Sequence, residues 1–167
     1  MWLFFFVEAS FGVNWSFLGI VPRTSQGLVG ILTAPLIHGS IPHIVSNTIP
    51  LLMLGTILYL FYKRVARAVF LQCYFFTGIL VWLFARNSIH IGASGVIYGL
   101  AFFLIFFGFF RKDFKSLILS ILILVLYDGL FIGVLPSSSG VSWESHLFGA
   151  GVGFFAARRY GKLKRVN

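Results

Sequence analysis

Residues 91–110 read IGASGVIYGLAFFLIFFGFF, twenty positions without a charged side chain. A helix needs about 20 consecutive apolar residues to cross the hydrocarbon of a bilayer, so this stretch predicts a membrane span. It opens on Gly92-Ala93-Ser94-Gly95, which puts one hydroxyl at the very start of the helix. There the free amide donors and the positive end of the helix dipole favour developing negative charge.

The rest of the chain agrees with a membrane setting. Of its 167 residues 59% are hydrophobic and 10% charged, and the mean hydropathy is +0.96. So much apolar surface cannot be hidden inside a soluble core of this size. The reading is a single all-α membrane domain, 1–167, with approximate spans at 1–20, 45–62, 66–85, 91–110, 115–135 and 142–160. The first is the weakest, because it carries Glu8, Gly12 and Asn14; with no basic residue ahead of it, it is not read as a removable signal peptide. Residues 15–37 are too apolar to float in water and too broken by Pro22, Gly27, Gly30 and Pro35 to span. They are expected to lie in the membrane interface as a first outer loop.

A net charge of +9 raises nucleic acid as a partner, but the basic residues fall in short clusters between apolar runs, so no nucleic acid is expected. The clusters are Lys63, Arg64 and Arg67, then Arg111, Lys112 and Lys115, then Arg158, Arg159, Lys162, Lys164 and Arg165. With six spans all three lie on one face, which the positive-inside rule makes cytoplasmic, together with both termini. The opposite loops hold only Arg23 and Arg86. The second, fourth and sixth spans then all begin at the outer face, and His43, Ser94 and His146 stand near those beginnings. Cys73, the one cysteine, is read as a packing residue.

A serine hydroxyl needs a base to become a nucleophile, and His146 is the best candidate for Ser94. Gly149 and Gly153 smooth one face of the sixth span, which can bring His146 against the Ser94 helix. Tyr98 is one turn beyond Ser94 and is placed to touch the imidazole. No acid is well placed for a triad: Glu144 precedes His146 by two positions and points away, and Asp128 stands alone in the fifth span. A dyad is therefore expected. His43 and Asn47 are four apart on one helical face, with Ser40 as a cap, and their N–H donors suit an oxyanion beside the backbone N–H of Ser94.

Blander readings stand beside these. Gly95-xxx-Gly99 fits a small-residue packing face equally well on the tetrapeptide alone, His43 with Asn47 fits interhelical hydrogen bonding, and His146 fits a polar residue satisfied by a backbone carbonyl. His38, His43, His90 and His146 lack metal-ligand spacing, so neither a metal nor a cofactor is expected. His38 and His90 are read as lying near the water interface, with His38 in a supporting role. Pro136-Ser137-Ser138-Ser139-Gly140 is a small outer loop placed to act as a lid. Asp128 is left without a role, and a small transporter is disfavoured because no polar through-path accompanies it.

Three segments carry a resemblance: Leu36-Ile37-His38-Gly39-Ser40-Ile41-Pro42-His43-Ile44-Val45-Ser46-Asn47, then Gly92-Ala93-Ser94-Gly95-Val96-Ile97-Tyr98-Gly99, then Ser145-His146-Leu147-Phe148-Gly149. Together, over about Gly19 to Gly153, the chain resembles the rhomboid intramembrane serine proteases of the minimal six-helix bacterial form. The resemblance implies a six-transmembrane-helix bundle in the bacterial inner membrane with its site open to the outer face. It implies that Ser94 attacks a peptide carbonyl, that His146 acts as base and then acid, and that His43 and Asn47 bind the oxyanion. Tyr98 matches the ring that packs on the histidine, and Gly92, Gly95 and Gly149 belong to the matched motifs. The implied partners are the bilayer and single-span membrane proteins, cut near the outer face after lateral opening at the fifth span. A relative that binds client helices without cutting them is the alternative. The oligomeric state is left open. The family's Trp-Arg pair is absent from the first outer loop, and Leu-Tyr-Leu-Phe-Tyr-Lys-Arg replaces the glutamate often found near the second helix's inner end.

Overall fold

The computed structural model describes residues 1–127, 129–136 and 140–162. Asp128, Ser137 to Ser139 of the expected lid, and Lys164 and Arg165 of the last basic cluster lie outside the described residues. Within them the fold is all-helical, with one isolated antiparallel bridge between Ile20 and His90 and no strand.

The helices are α1 (Trp2–Phe11), α2 (Ser25–Thr33), α3 (Ile41–Phe61), α4 (Lys63–Phe84), α5 (Ser94–Arg111), α6 (Phe114–Leu126), α7 (Leu130–Gly133) and α8 (Trp143–Gly161). Of these, α3, α4 and α5 are long and apolar enough to cross a membrane. Ile49, Leu52, Phe76, Phe84 and Phe155 are exposed on the outside of the bundle. Water would not tolerate so much contiguous apolar surface, and lipid does. The protein is an integral membrane protein.

Two expected helices are shorter in the structure. The first, expected over 1–20, stops at Phe11 because Gly12 adopts a left-handed conformation (φ 66°) and its N–H closes onto the Glu8 carbonyl. The fifth, expected over 115–135, is broken: α6 ends at Leu126, Tyr127 leaves helical geometry (φ −127°, ψ 49°), and α7 resumes at Leu130. Thirteen helical residues rise only about 20 Å, short of the roughly 30 Å hydrocarbon, so α6 alone does not reach across.

Local chemistry explains the remaining starts. Ser40 accepts from the His43 N–H and Pro42 occupies the first turn of α3, where its missing donor costs nothing. Asp113 caps α6 through the Ser116 N–H at 3.0 Å. Burial and two hydrogen bonds from Ser116 oppose each other on this carboxyl; the bonds and Arg111 win and hold it below the usual carboxylate range.

The centre of the bundle is α5, with twelve of its residues buried, and its most extensive partner is α8. Glycine permits the approach. A Cβ on Gly149 would overlap the Gly95 carbonyl oxygen, and one on Gly153 the Gly99 carbonyl oxygen. The packing role of Gly95 and Gly99 is thus real and coexists with their place beside Ser94. Gly151, midway between the two, has open space where a Cβ would go. Gly149→Ala is expected to lower unfolding stability in detergent by about 1–3 kcal/mol through overpacking, and Gly151→Ala to leave it unchanged. Equal stability of the two variants would contradict the close approach.

The first outer loop folds as a turn at Ser16–Leu18, then α2, then a turn at Ala34–Leu36. Without the family's Trp-Arg pair it is held by other groups. Arg23 donates to the Leu83 and Ala85 carbonyls (3.2 and 2.8 Å), which the end of α4 leaves unsatisfied, and the Trp82 indole donates to the Thr24 carbonyl (2.8 Å). The sequence singles out Arg23 only as a charge in an outer loop, and shows none of these pairings.

Candidate active site

Ser94 is the first residue of α5. The turn before it depends on Gly92, whose φ of 100° is unfavourable for any side chain. Space demands glycine there as well, because an added Cβ would stand 2.6 Å from His43 Nε2. The Gly92 N–H donates to the Ala34 carbonyl (2.9 Å) and so ties the Ser94 turn to the outer loop.

His146 lies in the first turn of α8, with Nε2 2.9 Å from Ser94 Oγ and Nδ1 2.9 Å from the Gly133 carbonyl oxygen. A carbonyl can only accept, so Nδ1 carries the proton and Nε2 is left as an acceptor. Ser94 O–H therefore donates to Nε2, the arrangement in which the imidazole can remove the serine proton. Tyr98 stacks on the ring with centroids 4.1 Å apart and planes inclined by 6°. Its hydroxyl occupies the place that a side chain on Gly133 would need.

The acceptor on Nδ1 is thus a backbone carbonyl and not a carboxylate. The sequence allows a carbonyl partner for His146 but does not locate it, because every residue carries one. Glu144 does point elsewhere: it is buried, with Oε1 3.5 Å from Arg86 Nε. Arg86 also donates to the Val141 carbonyl (2.9 Å).

His43 and Asn47 sit on one face of α3 and share a cleft of about 830 Å³ with Ser94, Tyr98 and His146. One N–H of the Asn47 amide is bonded to the His43 carbonyl (3.0 Å), and its Oδ1 is buried without a hydrogen-bond partner. A primary amide has a second N–H, so one donor is left to serve the cleft. Pro50, also in the cleft wall, supplies no N–H to the α3 ladder.

His38 and His90 are buried at 1% and 2% exposure, where the sequence placed them near water. His90 is covered because its backbone bridges Ile20, and its ring joins two loops. Nε2 faces the Arg86 carbonyl (3.1 Å), so Nδ1 accepts from Ser142 (2.6 Å), which in turn accepts from Ser145 (2.6 Å). The His38 ring meets His43 edge-on at 4.8 Å. Neither His38 nitrogen reaches a hydrogen-bond partner. Burial, with the neighbouring His43, pushes its pKa down to about 4, and the nearby Leu36 backbone and Asn47 amide oppose this without cancelling it.

A depressed histidine has a defined effect on stability. Between about pH 6.5 and 4 the unfolded chain binds a proton that folded His38 refuses, so the native state loses up to about 3 kcal/mol as pH falls through that window. Burial lowers His90 in the same direction. Thermal unfolding at pH 7, 5.5 and 4.5 is expected to show falling midpoints, with a shallower slope in His38→Phe. A flat profile for the unsubstituted chain would refute it.

Among the described residues no three His, Cys, Asp or Glu side chains group as a metal site. The family model described as "Rhomboid domain" matches residues 25–162. Uncharacterized proteins of Mycobacterium bovis and Mycobacterium tuberculosis (strain ATCC 25618 / H37Rv) are 35% identical over 167 aligned residues, covering 89% of this chain and 69% of theirs. An uncharacterized protein of Mycobacterium leprae is 39% identical over 151, covering 83% of this chain and 59% of its own. No solved structure matches the chain.

Proposed function

The chain belongs to the rhomboid family, and from this we propose that it is a serine endopeptidase that cuts membrane-spanning segments of other proteins with a Ser94–His146 dyad. The observation that carries the reading is the pair of His146 contacts, Nδ1 with the Gly133 carbonyl oxygen and Nε2 with Ser94 Oγ, each 2.9 Å, which together select the tautomer with Nε2 unprotonated. Ser94 attacks the scissile carbonyl as Nε2 takes its proton. The oxyanion is received by the Ser94 backbone N–H, His43 and the free Asn47 donor. The imidazolium then protonates the leaving amine, and water resolves the acyl-enzyme by the reverse proton path.

Six spans, both termini on the basic side and a cleft open to the outer face complete the proposal, with single-span membrane proteins as substrates. Such a helix must unwind before its backbone reaches Ser94, so helix-breaking residues mark good cut sites. The competing reading, client binding without cleavage, has no use for a serine bonded to an oriented imidazole. The test is purified protein in proteoliposomes with a single-span peptide carrying Gly or Pro near its outer end, products identified by mass. Cleavage by the unsubstituted chain and none by Ser94→Ala is expected. Intact peptide bound in both would favour client binding.

A further inference from the structure

At the end of α5 opposite Ser94, about 25 Å away along the helix, lies a second cleft of about 340 Å³ that the proteolytic reading leaves unused. Lys63 and Arg64 at the start of α4, Arg111 at the end of α5 and Lys115 in the first turn of α6 line it, and among the described residues Asp113 is the one acid in its wall. Asp113 is already engaged, with Arg111 Nε 2.8 Å away and Ser116 bonded to both of its oxygens. The cleft is therefore net cationic. Its other wall is apolar, formed by Leu60, Phe61 and Leu119.

Tyr62 supplies the independent observation. Its ring packs edge-on against Phe103 and Phe107, it lines the cleft, and its buried hydroxyl has Ser116 as its neighbour but makes no hydrogen bond of good geometry among the described residues. A buried hydroxyl left unpaired costs free energy, and an occupant bearing an acceptor would relieve it. Positive charge that only orients the chain in the bilayer needs to be near the loops. It needs neither a cavity nor a buried donor.

We propose that this cleft is a binding site for the headgroup of an anionic phospholipid, its phosphate held by Lys115, Arg111 and the Tyr62 hydroxyl and its acyl chains running along Leu60 and Leu119. The occupant follows from the split wall: cations and a hydroxyl at the level of lipid phosphates, apolar side chains toward the hydrocarbon. Cationic clefts between helices at the cytoplasmic face are suited to such headgroups. The sidedness rests on the orientation given under the proposed function; the site itself does not require that the protein cut anything.

The experiment is native mass spectrometry of the full chain in detergent, titrated with phosphatidylglycerol, with phosphatidylcholine and with inorganic phosphate. Phosphatidylglycerol is expected to stay bound, and losing one charge-assisted bond in Lys115→Gln, or the donor in Tyr62→Phe, to weaken it about tenfold. Tyr62→Phe keeps the packed ring, so its fold is safe, and circular dichroism checks both variants. Arg158→Gln with Arg159→Gln, which removes two charges from α8, is the control and should bind as the unsubstituted chain does. Unchanged binding in Lys115→Gln and Tyr62→Phe, or an equal loss in the control, overturns the site. Displacement of the lipid by millimolar phosphate, or equal retention of phosphatidylcholine, overturns the anionic lipid as its occupant.

Discussion

Ser94→Ala is expected to abolish covalent labelling by a fluorophosphonate probe, and His146→Ala to abolish it as fully. In the proposed dyad the two side chains act as one unit, so removing either removes the activated nucleophile, and losses on the order of 10⁶ in turnover are known for such pairs. Intact mass of the detergent-purified protein would show one adduct on the unsubstituted chain and none on either variant. Because Nδ1 is bonded to a backbone carbonyl, no third side chain should match this loss. An adduct surviving in His146→Ala would mean that another base serves Ser94, and the dyad would be wrong.

The second large effect is expected at His43. Its ring stands over Gly92 and in the Ser94 cleft, so on the proposed mechanism His43→Ala removes an oxyanion donor while leaving the dyad bond untouched. Loss of one such donor costs about 10²–10³ in turnover. The informative readout is a lower kcat for the membrane peptide at little-changed KM, because the donor acts on charge that exists only in the transition state. Asn47→Ala should be milder, since one of its two N–H groups is already spent on the His43 carbonyl. A change confined to KM would assign both residues to substrate binding.

Much of this architecture is legible in the sequence because it is written in side chains of distinctive size or chemistry. The cores of α3, α4, α5 and α8 follow from uncharged runs, and the meeting of Ser94, Tyr98 and His146 follows from glycines spaced to let α5 and α8 touch. The features that escaped are backbone events. The break at Tyr127 falls just before Asp128-Gly129, a turn signal that the apolar residues on either side outweigh in a hydropathy reading. The acceptor for His146 is a carbonyl, identical at every residue. The burial of His90 follows from a two-residue bridge to Ile20, seventy positions away, which no local pattern announces.

The Gly133 carbonyl has one more consequence. It belongs to α7, a four-residue helix isolated from α6 by the break, whereas the imidazole it orients rides on α8. Leu130 of the same short helix also lines the cleft that holds Ser94. On the proposed dyad, the group that sets the tautomer of the base and a wall of the cleft therefore belong to one four-residue element. A substitution that displaces α7 is then expected to deprive Nδ1 of its acceptor, and Ser94 of its base, without touching either side chain.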